Sequence, residues 1–157
     1  MQINKTYAHN NPTYHRILTE LINNQLDYVP EDKKLYHNDI KRIAKNITSS
    51  IFDENECSLW TGYITNLNKN NKGTYINFYF RKKKVALHRL LYNNYIGPID
   101  ASEYIKFKCE HKGYCCNINC VKKHKYSNSK KTNDEQVETT NKELQKVYRS
   151  ELTIYFN

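Results

Sequence analysis

The chain has 157 residues, with 25 Lys and Arg against 16 Asp and Glu and a net charge of +9 at neutral pH, a length that suits one domain with short terminal appendages. Hydrophobic residues make up 38%, with 14 Tyr beside one Trp and five Phe, so a thick aliphatic core is excluded and a staple is favoured. No run approaches the roughly 18 uninterrupted apolar residues of a membrane span, and MQINKTYAHNNPTYHR at the start lacks the apolar centre of a signal peptide.

A soluble, intracellular protein with no membrane association is therefore expected, in a reducing compartment where clustered cysteines mean metal more often than disulfides. The abundance of Asn, Lys, Ile and Tyr reads as coding bias from an AT-rich genome, as in a virus or a mobile element.

Taken in chain order, residues 12–27 (PTYHRILTELINNQLD) place Tyr14, Ile17, Leu18, Leu21 and Ile22 at helical spacing, with Asn11 as cap and Pro12 in the first turn. A second helix is predicted over 38–52, where Ile40, Ile43, Ala44, Ile47 and Ile51 form one stripe. Such a pair is more often a packing element, or a surface for a protein partner, than a DNA-reading helix-turn-helix.

The periodicity changes at Cys57. SLWTGYI (58–64) predicts a strand, TNLNKNNKG (65–73) a polar turn and TYINFYF (74–80) a second strand. RKKK (81–84) has turn character, VALHRLLYNNYI (85–96) begins extended and turns helical, and GPID (97–100) ends it. EYIKFKC (103–109) predicts a short strand with alternating Lys. The expected organisation is an N-terminal helical extension over 1–56, a central domain over 57–131, and a polar, partly helical tail over 132–157.

Charge follows the same division. Residues 1–56 carry seven basic and eight acidic side chains, residues 57–131 carry fifteen and three, and residues 132–157 carry three and five. The excess positive charge thus sits in the cysteine-containing middle. Each phosphate such a block neutralises releases condensed counterions, so nucleic acid is the expected partner.

That middle contains KCEHKGYCCNINCVKKH at 108–124, with four of the five cysteines. Zinc takes four soft ligands in a tetrahedron, and the candidates are Cys57, Cys109, Cys115, Cys116, Cys120, His111 and His124. Adjacent side chains point apart, so Cys115 and Cys116 do not share one ion. Spacing leaves open a self-contained set (Cys109, Cys115 or Cys116, Cys120, His124) and a set that recruits the distant Cys57.

The segments ECSLWTGYI, GTYINFYF, VALHRLLYNNYIGPID and YIKFKCEHKGYCCNINC together resemble the zinc-binding-loop subfamily of His-Me finger (HNH) endonucleases, which includes the His-Cys box enzymes. The resemblance covers residues 57 to about 130. It implies a small α+β fold: a twisted antiparallel sheet with a zinc-pinned loop and a ββα-metal-like finger, joined here by the N-terminal helical pair. It also implies a ligand set. Cys57 falls at the early ligand, Cys109 at the cysteine of an H-x-C strand, and Cys115 and Cys120 at the first and last positions of a C-V-N-P-x-H loop, with Asn117 at its Asn and Cys120 replacing its His. Cys116 and His124 remain alternates. Four thiolates close a zinc site, which makes the ion structural.

In that family a histidine two residues before the first loop cysteine activates water, and an Asn on the following helix holds a second ion, usually Mg²⁺. In this chain Phe107 occupies the histidine position, and phenylalanine takes no proton. His111, two residues after Cys109, and Asn128 are the substitutes that a catalytic reading would need, with Mg²⁺ or Mn²⁺ as its ion. Arg81, Lys82, Lys83, Lys84, Arg89, Lys122, Lys123 and Lys125 are the expected phosphate contacts, with double-stranded DNA as the expected ligand.

The sequence therefore favours a zinc-stabilised nucleic-acid-binding protein on an HNH-like scaffold that has lost cleavage. An active metal-dependent DNA endonuclease comes second, and a basic subunit of a larger viral or ribonucleoprotein assembly third.

Overall fold

The computed structural model describes residues 11–127, which form a small α+β fold. Two helices come first, α1 (Pro12–Asn23) and α2 (His37–Lys45). A hairpin of β1 (Asn77–Phe80) and β2 (Lys83–Ala86) runs straight into α3 (Leu87–Tyr95). A second antiparallel ribbon pairs β3 (Glu103–Phe107) with β4 (Val121–Lys125), and a 3-10 turn (Ile118–Cys120) leads into β4. The strands make two separate two-stranded sheets rather than the one sheet expected. The tail over 132–157 lies outside the described residues.

Helix α1 starts as its sequence dictates: the Asn11 side chain accepts from the Thr13 N–H at 2.9 Å, with Pro12 in the first turn. Asn24 terminates it by donating its backbone N–H (3.0 Å) and its side-chain amide (2.8 Å) to the Glu20 carbonyl, so the helix stops short of residue 27. In α2, Asp39 reaches back to the Tyr36 N–H at 2.9 Å.

The helix predicted over 38–52 ends at Lys45 because a tertiary pairing captures the chain beyond it. Ile47 bridges Trp60, the Thr48 N–H donates to the Leu59 carbonyl at 3.0 Å, and the Thr61 N–H donates to the Asn46 carbonyl at 2.7 Å. SLWTGYI is accordingly no regular strand. It makes isolated bridges, Ile47 to Trp60 and Leu59 to Cys115.

The turn of the first hairpin is only two residues, Arg81 (φ 48°) and Lys82 (φ 66°), while Lys83 and Lys84 belong to β2. Both central residues are left-handed, as the twist of a tight hairpin demands, although neither is Gly or Asn. Arg81 offsets that strain. Its guanidinium lies 4.6 Å from the Tyr36 ring centre and 5.0 Å from that of Phe80, and it donates to the Lys34 carbonyl at 3.2 Å.

One apolar core crosses the boundary expected at residue 56. Ile17 and Leu21 of α1, Ile43 of α2, Phe78 of β1, and Leu87 and Leu90 of α3 share it. The apolar stripes of α1 and α2 thus face this core. Asn94, completely buried, ties the two parts together: its amide donates to the Lys33 and Leu90 carbonyls, and its oxygen accepts from the Gln25 side chain and the Leu35 N–H. All four hydrogen-bonding positions of that amide are filled, which makes a buried polar group tolerable.

Candidate metal centre

The sulfurs of Cys57, Cys109, Cys115 and Cys120 all lie within 4.8 Å of one another, and four cysteines this close can coordinate a metal ion. The Cys57 and Cys120 sulfurs are 3.9 Å apart. A tetrahedral ion with bonds of ~2.3 Å sets its sulfurs about 3.8 Å apart, so the donors fit such an ion with small closing movements. The cysteines are all free thiols.

Three segments deliver these ligands, and backbone bonds rather than regular structure align them. Cys109 lies two residues past the end of β3, and the intervening Lys108 N–H donates to the Cys120 carbonyl at 2.8 Å. Cys120 ends the 3-10 turn, its N–H donating to the Asn117 carbonyl at 3.1 Å. Cys115 bridges Leu59, and the Cys116 and Trp60 N–H groups donate to the Ser58 and Tyr114 carbonyls at 2.6 and 3.0 Å. The Ser49 hydroxyl donates to the Cys57 carbonyl and the Ser58 hydroxyl to the Ser49 carbonyl, at 3.0 and 2.6 Å.

Asn117 anchors Cys57 from the opposite side. Fully buried, it donates 2.6 Å bonds to the carbonyls of Asp53 and Glu56 and accepts from the Asn119 N–H at 2.8 Å. A turn centred on Asp53, whose carboxylate accepts from the Asn55 and Glu56 N–H groups, completes the approach to Cys57. Gly113 supplies the remaining constraint. It has φ +86°, and a Cβ there would meet the Thr74 carbonyl oxygen at 1.9 Å, so only glycine fits.

Burial and mutual proximity hold the cluster's thiols in their neutral form. Burial raises the Cys115 thiol well above the usual range, and the neighbouring Cys109 and Cys120 add to it against backbone bonds from Asn117 and Ser58. Cys120 is pushed up to about 11, chiefly by burial. Thiols packed this tightly resist sharing negative charge, and a bound dication reverses that preference by favouring the thiolates. Cys116 faces the other way, into the apolar core, where burial raises its pKa.

The other residues singled out by sequence are dispersed. His124 stacks on Tyr104 (ring centres 5.7 Å apart) and stands outside the four-sulfur cluster. His111 presents its ring edge to Tyr114 at 5.5 Å, and its Nδ1 is buried with no hydrogen-bond partner among the described residues. Asn128 lies outside the described residues. Phe107 meets His88 edge-on at 4.8 Å, and the His88 Nε2–H donates to the Cys115 carbonyl at 2.7 Å. Burial lowers the His88 pKa to about 4, so the ring is neutral at physiological pH and props the cysteine loop through its bond to the Cys115 carbonyl.

The basic residues separate into committed and available groups. Lys82, Lys83, Lys84, Lys122 and Lys125 are exposed. Arg89 donates to the Glu103 and Asp100 carbonyls at 2.8 Å each. Lys123 pairs with Glu103 at 3.2 Å and donates to the Pro98 carbonyl at 3.0 Å. Arg81, Lys83 and Arg89 also line a cavity of about 460 Å³ with Asp32, Phe80 and Leu90.

In the sequence Asn117 stands out only as a match to a motif, and Ser49, Ser58 and Gly113 are not among the candidate site residues. Gly113 alone carried a signal: it is one of four glycines in the chain and falls between two candidate ligands. Among the described residues no helix is long and apolar enough to cross a membrane.

No protein-family profile matches the chain, and no solved structure matches it. It is similar to "Uncharacterized protein R328" of Acanthamoeba polyphaga mimivirus, with 57% identity over 123 residues. The alignment takes in 78% of this chain and 36% of that relative, so the chain spans about a third of the relative's length.

Proposed function

We propose that this protein binds nucleic acid on a zinc-stabilised, HNH-like scaffold that no longer cleaves. The observation that carries the reading is the four-sulfur cluster joined to Phe107. A four-thiolate site is coordinatively closed and holds loops in place rather than activating water. At the position where the resembled family carries its base, Phe107 packs against His88. His88 itself is neutral and donates to a carbonyl. The ion would be held by Cys57, Cys109, Cys115 and Cys120, and the chemistry it supplies is cross-linking.

Affinity comes from exposed lysines. Lys82, Lys83 and Lys84 lie together at the tip and second strand of the first hairpin, and no carboxylate pairs with any of them among the described residues. Fixed cations of this kind add affinity without reading sequence. A viral relative fits an origin in a virus genome.

A hydrolytic second reading draws on His111, whose buried Nδ1 has no partner among the described residues. A plasmid assay on zinc-analysed protein with Mg²⁺ or Mn²⁺ separates the two, run beside His111→Ala. Zinc-replete protein that shifts duplex in a gel yet leaves supercoiled plasmid intact is the expected result. Nicking abolished by His111→Ala would replace the binding reading with the enzymatic one. Failure to bind any nucleic acid would remove both.

A further inference from the structure

The β3–β4 ribbon has two faces of different character. Cross-strand partners share a face and neighbours alternate, so Phe107/Val121 and Ile105/Lys123 lie on one side. That side packs on α3: Phe107 meets His88, and the Lys123 ammonium lies 5.8 Å from the Tyr92 ring centre. The opposite side carries Tyr104/His124 and Lys106/Lys122. The Tyr104 and His124 rings are stacked at 5.7 Å, and Tyr126 extends the row at 4.8 Å from Tyr104.

Lys106 and Lys122 stand directly opposite each other, both exposed, and no carboxylate pairs with either among the described residues. Like charges facing across a ladder are destabilising. The contrast with Lys123, neutralised by Glu103 on the inner face, marks the outer face as waiting for an anion. Two residues along a strand span about 7 Å, so this cationic pair sits one short step from the row of rings. Aromatic rings beside unpaired cations are what single-stranded nucleic acid requires: bases stack on the rings and phosphates meet the ammonium groups. Duplex DNA keeps its bases stacked on each other and cannot use the rings.

We infer that the outer face of the β3–β4 ribbon is a single-strand site, in which unpaired bases continue the His124–Tyr104–Tyr126 row while Lys106 and Lys122 hold the adjoining phosphates. This rests on the nucleic-acid-binding reading above and adds to it the form of the ligand. The cysteine loop serves the site by joining β3 to β4, since Cys109 and Cys120 flank the end of the ribbon that this loop closes, beside the Phe107/Val121 pair.

The test is fluorescence anisotropy of the zinc-replete full chain with labelled 12-nucleotide oligo-dT, 12-nucleotide oligo-rU and a 12-base-pair duplex. Tyr104→Ala should weaken single-strand binding about tenfold or more and leave duplex affinity unchanged, while Tyr104→Phe binds as the natural protein does. Lys106→Ala with Lys122→Ala should reduce the single-strand salt slope by about 0.7 per lysine, and these exposed positions carry the test should Tyr104→Ala lower the melting temperature. Comparison of dT with rU assigns the strand to DNA or RNA. Single-strand affinity and salt slope unmoved by both the Tyr104→Ala and the lysine variants would overturn the inference. So would natural protein that binds the duplex but neither single strand, and that outcome leaves the broader reading standing. Binding to none of the three removes both.

Discussion

In the helical half of the molecule, α1, α2 and α3 bury Ile17, Leu21, Ile43, Leu87 and Leu90 against one another, and the apolar stripes that bury them are also what make the helices. In the cysteine half, residues 109–120 and 47–60 contain hardly any regular structure and hold their shape through isolated bridges, serine and asparagine bonds to carbonyls, and four converging thiols. The first half can specify itself by apolar burial, which is local and cumulative. The second specifies itself through cross-links between segments about fifty residues apart, which hold only when all the partners are present.

The comparison is broken most sharply at the four cysteines that would hold the proposed zinc. Cys109→Ser, or chelation, should abolish stoichiometric zinc and destabilise the cysteine half by more than about 5 kcal/mol, read as lost metal by atomic emission and an earlier unfolding transition. Hydrogen exchange then sharpens the result. Amides of Trp60, Cys116 and Ile118 should lose protection while those of Leu21 and Asn94 keep most of theirs. Equal loss in both regions would mean one cooperative unit and would erase the distinction.

A smaller break tests the cysteine half without touching a ligand. Gly113→Ala forces a side chain against the Thr74 carbonyl at a positive φ, and the loop cannot yield without moving Cys109 or Cys115. The expected cost is about 2–4 kcal/mol, with weaker zinc retention in competition against a chromophoric chelator. A variant as stable as the natural protein, with unchanged retention, would show that the loop has slack.

The same division explains what could be read from the sequence. The apolar stripe of α1, the hairpin strand ending at Phe80, the helix after Ala86 and the strand from Glu103 were all legible, because burial imposes a period on the residues that make them. The stripe over Ile47 and Ile51 misled for the same reason: those side chains are buried, but on a chain drawn out to pair with Trp60, and apolar period alone cannot tell the two apart. Spacing narrowed the ligands without deciding among Cys57, Cys116 and His124. The supports at Ser49 and Ser58 were invisible, because a side chain bonded to a carbonyl of another segment leaves no period behind.

The finest test falls on the helical half. The Tyr95 hydroxyl, deep between helices, donates to the Leu21 carbonyl at 2.9 Å, and burial raises its pKa well above 10. In the unfolded chain a tyrosine ionises near 10, so the folded state holds this proton more tightly. The stability it contributes is complete below about pH 10 and is lost as pH rises further, at up to about 1.4 kcal/mol per pH unit. Tyr95→Phe should cost about 1 kcal/mol at pH 7 by leaving the carbonyl without this donor, and should also flatten the alkaline decline. Urea unfolding of both proteins at pH 8 and pH 11 checks this, since every other titrating group is common to the pair and cancels. A decline equally steep in the variant would mean that the phenol is not buried as a neutral donor, and that the helical half is looser than its packing implies.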